Sequence, residues 1–593
     1  MFLKRLTRRK DGKTHTYWAL IESIRTRRGP RHRTVAYLGE LGRSARAGWA
    51  DVGRLLNGAL PAEPSLFAAP EESSDSVPEH VEVRVRGVRV EKTRDFGDVY
   101  LGLLLWRALR LHELLEERIP RGREEVSWPV VAAILAVARF SEPSSELHIE
   151  DTWYPRTALE DLLGVGPEAV NKDRLYRALD EVLPHKEAIE RHLRERFVTL
   201  FDAKIDLVLY DVTSTYFEGL MEANPQARRG HSRDQRPDCL QVTIALLVTR
   251  EGLPIGYEVF AGNRNDMTTL EEIVEGMERK HGSIGRVWVV DRGIASEKNL
   301  EFLRRRGASY VVGTPKSALR GFERQLVDEG WTEVEPGVEV KACPGPEGQE
   351  TFVLCRSADR REKEKAMHER FVTRIELALQ KLAGRLERAR QKVDRAPVDR
   401  QIGRLLGRNS RAARAFEIKL EEAPERASGL KLNVARNAAW TEWATLSEGH
   451  YLLRTNLMGW TPEDLWKTYI QLTQAESAFR IEKTELKIRP IWHQLEHRAQ
   501  AHILFSFLAY AMWKTLEQWM ARSGLGNGPR TVVEEFAKVK VMDVILPTST
   551  GRRLQLRCVS TPDEGQRILL ERLGIELPRR LGQPRWFEAM AKM

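Results

Sequence analysis

Three acids, Asp211, Asp291 and Glu476, stand out because of the residues around them. Asp211 falls near the end of the apolar run IDLVLYDV (205–212), and Asp291 closes RVWVVD (286–291). A short apolar run that ends on an acid reads as a buried strand delivering a carboxylate to the carboxyl edge of a sheet, where open α/β sheets place ligands. Two anionic side chains at one edge repel unless cations neutralise them. Hard divalent ions such as Mg2+ prefer carboxylate and water oxygens, and a pair about 3.5–4 Å apart stabilises both the attacking and the leaving oxygen of a phosphoryl transfer. That chemistry asks for a third carboxylate on a later helix. Glu476, in TPEDLWKTYIQLTQAESAFRIEKTELKIRP, is the candidate. Tyr469, Leu472, Glu476, Arg480, Lys483 and Lys487 recur at steps of three and four, which predicts one helix face with a carboxylate among cations suited to phosphate. An ordinary salt-bridged surface helix has the same pattern.

The elements that must position these acids are legible in the periodicity. IDLVLYDV, CLQVTIALLVT and LPIGYEVFAG read as three strands, the last two flanking the turn Arg250-Glu251-Gly252. DMTTLEEIVEGMERK follows as a helix capped by Asp266, then the strand RVWVVD, the helix SEKNLEFLRRR and the strand ASYVVG. Three strands in tight succession and then alternating helix and strand is the order of an RNase H-like mixed α/β sheet, with Asp211 ending the first strand and Asp291 the fourth. In that topology the first and fourth strands are adjacent and parallel.

The rest of the chain divides around this core. Phe2 to Leu38 alternates apolar and polar types about a D-G turn and a G-P turn, predicting a small basic β-hairpin module over residues 1–60. Residues 61–80 are rich in Pro, Ser and Glu, which makes 61–90 a linker, and 91–200 is expected as a helical domain from the helical spacing after residue 97, in VYLGLLLWRALRLHELLEE, WPVVAAILAVARF and KEAIERHLRERFVTLF. The core's first part is 201–315 and its second, with the glutamate helix, 456–525; 526–593 is a C-terminal region. Between the core segments, 316–455 forms an insertion whose outer parts, VEVKACPGPEGQETFVLC and LKLNVARNAAWTEWATL, read as strands. Phe371, Ile375, Leu379, Leu382, Leu386, Ala389 and Val393 predict a helical hairpin between them, packed within the subunit or across a dimer.

These residues resemble an insertion-sequence transposase of the DDE type, in the group whose glutamate helix reads Y-x2-R-x3-E-x6-K. Tyr469, Glu476 and Lys483 match, while Leu472 stands where the pattern has Arg. Arg480, one turn past the glutamate, offers a substitute guanidinium. The opening YW and VAYLGEL, DVTSTYFEG around Asp211, VVDRGIAS around Asp291 and RPIWHQLEHRAQAHIL are similar to the same group, so the likeness spans most of the chain. The resemblance implies that Asp211, Asp291 and Glu476 hold two Mg2+ ions, with Mn2+ as a substitute. It also implies that Tyr469, Lys483, Lys487, Arg480 and Arg292 meet DNA. Water attacks first and the freed 3′-hydroxyl next, and a hairpin on the transposon end can intervene. The partners are double-stranded DNA (terminal inverted repeats and target) and a second copy of the chain in a homodimeric complex. Trp440 and Trp443 lie in the part of the insertion that hairpin-forming relatives use to stack a displaced base, and their i, i+3 spacing suits a loop or bulge more than one strand face; hydrophobic packing is the plainer reading.

Composition agrees with a polyanion partner. The net charge of +10 is matched by residues 1–50 alone, which carry 13 Lys or Arg against 3 Asp or Glu, although a solvated basic surface has the same signature. Four cysteines, none in a C-x-x-C pair, point to neither a zinc ribbon nor a disulfide framework. The charged start MFLKRLTRRK and the lack of a long apolar run suggest a cytoplasmic, nucleoid-associated protein with no membrane span. Two alternatives remain. One is a non-catalytic DNA-binding relic; the other is a zinc peptidase built on His493-Gln494-Leu495-Glu496-His497, an H-x-x-E-H motif for which no third ligand is evident.

Overall fold

The computed structural model describes residues 2–10, 13–26, 29–39, 80–281, 286–345 and 349–588. The expected turn at Asp11-Gly12 and residues 61–79 of the expected linker lie outside them. The chain separates into two compact units, the first comprising residues 1–284 and 473–593 and the second 285–472.

In the first unit, β1 (Phe2–Lys10), β2 (Lys13–Thr26) and β3 (Gly29–Gly39) pair antiparallel in a three-stranded sheet. The linker reading fails at its end and the helical reading at its start. β4 (Arg89–Asp95) is a strand, because it finds a partner far along the chain in β16 (Lys540–Pro547). The spacing predicts one helix over 99–117, yet α1 (Gly97–Ala108) and α2 (Leu111–Arg118) are separate, since Arg110 adopts φ 53° and interrupts the ladder. α3 (Trp128–Ser141), α4 (Lys172–Val182) and α5 (Lys186–Phe201) complete this helical layer.

β5 (Leu207–Tyr216), β6 (Gln241–Val248) and β7 (Pro254–Ala261) form an antiparallel meander. Every residue of β6 is buried, as a strand covered on both faces requires. Next comes α6 (Leu270–His281). The expected cap, Asp266, instead opens a short 3-10 turn ahead of α6, and that turn is capped by the side chain of Asn265, which accepts from the Met267 amide.

The second unit begins with β8 (Val287–Val290), α7 (Glu297–Arg305) and β9 (Ser309–Gly313), and β8 and β9 run parallel. β10 (Thr332–Glu335), β11 (Val338–Pro344) and β12 (Thr351–Ser357) are antiparallel neighbours. α8 (Ala358–Glu387) and α9 (Arg395–Arg408) make the expected helical hairpin, although Ala389 and Val393 fall beyond the end of α8. Its apolar stripe is used inside the chain. Leu382 and Leu386 of α8 and Val398 and Ile402 of α9 bury against Leu420 and Leu430 of the hairpin β13 (Phe416–Glu422) and β14 (Leu430–Arg436). NAAWTEWATL, expected as strand, is α10 (Ala438–Ser447), because Asn437 accepts the Trp440 amide and starts a helix. β15 (His450–Thr455) then pairs with both β12 and β9, so the strands bounding the insertion continue one sheet. α11 (Pro462–Ile470) ends the unit.

The first unit resumes with α12 (Thr473–Thr484) and α13 (Glu496–Arg522). Residues 501–516 of α13 are buried all round, packed against α1, α3 and α4. Among the described residues no helix is long and apolar enough to cross a membrane. After α14 (Pro529–Phe536) come β16, β17 (Arg553–Val559), α15 (Glu564–Leu573) and β18 (Arg585–Phe587), with sheet order β18, β17, β16, β4.

Candidate active site

Asp211 does not end its strand. β5 runs five residues further, to Tyr216, because its whole length pairs with β6, and Asp211 sits opposite Leu246 in mid-ladder. Its side chain is half-buried, and Oδ1 accepts the Val212 amide at 2.8 Å. α12 packs against β5 and β6 and carries Glu476.

The single helix face expected from Tyr469 to Lys487 is not found. α11 stops at Ile470, the Leu472 amide bonds back to the Tyr469 carbonyl at 3.0 Å, and a new helix starts at Thr473. Lys487 lies past its end, exposed, with φ 46°. The break has a consequence. It places Glu476 in the first turn of α12, where unsatisfied amides and the helix dipole favour a carboxylate. Glu476, Arg480 and Lys483 share a face of α12, with Glu476 and Arg480 exposed. Arg480 donates to Ser477 Oγ at 2.9 Å, and Leu472 is 5% exposed, a packing residue where the family pattern has a guanidinium.

Lys483 turns toward β5. Its Nζ donates to Thr213 Oγ1 at 2.7 Å and to Asp234 Oδ1 at 3.0 Å, and burial lowers its pKa despite the bond to Asp234. Arg489 donates to the same Asp234 oxygen. Its neighbour Glu482 points inward, where burial raises its carboxyl to about 8. Sequence reasoning missed Asp234, Arg489 and Glu482. The one available signal for Asp234 is its position as a lone acid in the basic stretch ARRGHSRDQR.

In the second unit Asp291 directly follows β8, half-buried, and Arg292 beside it is exposed. The Tyr469 hydroxyl donates to Asp291 Oδ1 at 3.5 Å. Gly313, closing β9, makes room for that ring: a Cβ there would fall within the contact radius of the Tyr469 hydroxyl and 3.1 Å from Cζ.

The remaining candidates resolve differently. Trp440 and Trp443 lie on α10, not on a strand, loop or bulge. Trp440 packs edge-on to His368 at 4.8 Å and against the cluster of Val372, Ile375 and Phe416, whereas Trp443 packs on the cluster of Leu319, Leu326 and Leu452 with Arg320 over its ring at 5.4 Å. His493 and His497 do not share a helix face, because α13 begins only at Glu496. His493 pairs with buried Glu146 at 3.3 Å and His497 with Asp180 at 3.3 Å, so the two histidines of the motif go to two separate carboxylates. Burial alone would raise the Glu146 carboxyl; the hydrogen bond and charge of His493 hold it below the usual carboxylate range.

Among the described residues no three His, Cys, Asp or Glu side chains form a ready-made metal cluster. The three acids nominated by the sequence, Asp211, Asp291 and Glu476, each offer only carboxylate oxygens, a donor type that suits a hard divalent cation and suits a soft one poorly.

Two family models match the chain. "Transposase DDE domain" covers residues 202–512, just over half of the 593, and "IS1634 family transposase, N-terminal domain" covers residues 3–61. No curated protein matches. Among solved structures, a piggyBac transposase synaptic complex with hairpin DNA aligns over 75% of this chain and 80% of that chain, at 9% identity and a TM-score of 0.34, a likeness too slight to carry any argument. The mixed α/β order from β5 to β9, three strands and then helix, strand, helix, strand, falls within the DDE match and is that of an RNase H-like core.

Proposed function

From the premise that this chain belongs to the insertion-sequence transposases of the DDE type, we propose that it binds the ends of its element and catalyses their metal-dependent cleavage and transfer to target DNA. One observation carries the reading: the family match contains all three acids, with Asp211 on β5 and Glu476 in the first turn of the helix packed against that strand.

Asp211, Asp291 and Glu476 are the residues that would hold divalent ions, Mg2+ by preference with Mn2+ as a substitute. When bound, such ions supply Lewis acidity to the scissile phosphate and lower the pKa of bound water. Water opens a phosphodiester at the element end, its oxygen bonding to phosphorus as the bond to the 3′-oxygen breaks. The freed 3′-hydroxyl then attacks a target phosphodiester and expels that strand's 3′-oxygen. Tyr469 orients Asp291 through its hydroxyl, and Lys483, Arg480, Lys487 and Arg292 meet backbone phosphate. The basic module of residues 1–60 adds sequence-independent affinity through counterion release. Two copies of the chain act in a DNA complex, one at each end.

The test is direct. Purified protein is incubated with Mg2+ and a duplex ending in the inverted repeats that flank the coding region. Nicks at the repeat ends that disappear with chelator support the proposal. Protein that binds the duplex and never cuts it is the non-catalytic relic.

A further inference from the structure

Two cations in the first unit converge on a single oxygen. Lys483 Nζ and Arg489 Nη1 both donate to Asp234 Oδ1, with Lys483 also bound to Thr213 Oγ1. Asp234 is nearly sealed, its side chain 3% exposed, against 12% for Lys483 and 28% for Arg489. Its second oxygen, Oδ2, is buried and has no hydrogen-bond partner among the described residues. The loop is held to β5 by its neighbour, since the Arg233 amide donates to Ser214 Oγ at 3.1 Å.

This is an unbalanced arrangement. Two positive charges meet one negative, and the carboxylate uses one oxygen for both donors while the other stays idle at the cost of its desolvation. A backbone phosphodiester carries one charge on two non-bridging oxygens and would give each cation its own acceptor. The place also fits. Thr213 is two residues beyond Asp211, so their side chains leave β5 on one face about 6.7 Å apart along the strand. Lys483 is thereby tethered one step from the acid that the proposed chemistry uses.

We infer that Lys483 and Arg489 form a subsite for a DNA backbone phosphate that Asp234 fills until DNA displaces it. The inference rests on the transposase reading and adds to it an internal competitor: Asp234 keeps two phosphate ligands occupied in the DNA-free protein, and binding exchanges an internal ion pair with one shared acceptor oxygen for an external one.

Affinity for a short duplex of arbitrary sequence, measured by fluorescence anisotropy with chelator present, tests it. Asp234→Asn removes the competing charge and should tighten binding by about tenfold, a modest value for one close charge pair. Equal or weaker binding by the folded variant overturns the inference, because a purely structural Asp234 would loosen the site when neutralised. Should Asp234→Asn fail to fold, Arg489→Gln decides instead. Loss of one phosphate contact should make the slope of log affinity against log salt shallower by about 0.9, and an unchanged slope overturns the inference. Wild-type protein that binds no duplex at low salt sinks the transposase reading and this inference together; wild-type protein that binds and cuts while the variants fail these outcomes sinks the inference alone.

Discussion

Gly313→Ala puts a methyl group where the Tyr469 hydroxyl now lies. The new Cβ would stand 3.1 Å from Tyr469 Cζ and closer still to the hydroxyl oxygen, so the ring has to withdraw by about an ångström. Overpacking of this kind costs about 1–3 kcal/mol, and the Tyr469–Asp291 hydrogen bond, already 3.5 Å long, does not survive the withdrawal. A misplacement of about 1 Å beside reacting groups costs on the order of 100-fold in rate. The variant is therefore expected to lose about 1–3 kcal/mol by urea denaturation and about two orders of magnitude in single-turnover nicking. A double variant separates the two effects. Gly313→Ala with Tyr469→Phe removes the clashing oxygen, so stability should return by about 1 kcal/mol or more while nicking stays low, since the hydroxyl that orients Asp291 is gone. Wild-type stability and nicking in Gly313→Ala, or a double variant no more stable than the single one, would refute the reasoning.

Other outcomes follow from the same structure. Burial raises the Glu482 carboxyl to about 8, so the folded state keeps a proton that the unfolded state has already lost; its stabilising contribution is complete below about pH 4.5 and drains away as pH rises to 8, by up to about 1.4 kcal/mol per unit. Glu482→Gln should thus flatten the decline in stability between pH 5 and 8, and an unaltered pH profile would argue against a neutral Glu482. His493→Ala strands the buried Glu146 carboxylate and should cost about 3 kcal/mol with no change in bound zinc by elemental analysis, whereas stoichiometric zinc lost on mutation would revive the peptidase alternative. Trp440→Ala and Trp443→Ala should each destabilise the protein by about 3 kcal/mol, the low end for tryptophan because both rings are half-buried, and leave nicking intact. A variant as stable as wild type but slow to release the element would instead give that tryptophan a base-stacking role.

How much of this was legible in the sequence depends on the range of the interactions. The strands from β5 to β9 are short apolar runs between turn residues, and a local pattern suffices to find them. KEAIERHLRERFVTLF became α5 with its expected bounds, because its apolar spacing is clear and no competing partner intervenes. Where distant contacts decide, periodicity misled. β4 is a strand because residues 540–547 pair with it, and Asp211 lies in mid-strand because β6 is long enough to match β5 to Tyr216. The steps of three and four from Tyr469 to Lys487 ran through a helix break that Leu472 does not announce, since leucine is a good helix former. For α10 two local signals compete, and the Asn437 helix cap outweighs the apolar run after it. Asp234 stands out only as a lone acid among basic residues, and its partner is illegible because the pairing with Lys483 spans 249 positions of chain.

The central claim is that Asp211, Asp291 and Glu476 together make the phosphoryl-transfer centre. Single-turnover strand cleavage of an end-bearing duplex with Mg2+, run beside equilibrium binding of the same duplex, tests it most directly. Asp211→Asn, Asp291→Asn and Glu476→Gln each keep the shape of the side chain and remove its charge, so each should bind DNA as wild type does and cut it at no measurable rate. Cleavage at the wild-type rate by any one of the three would contradict the account.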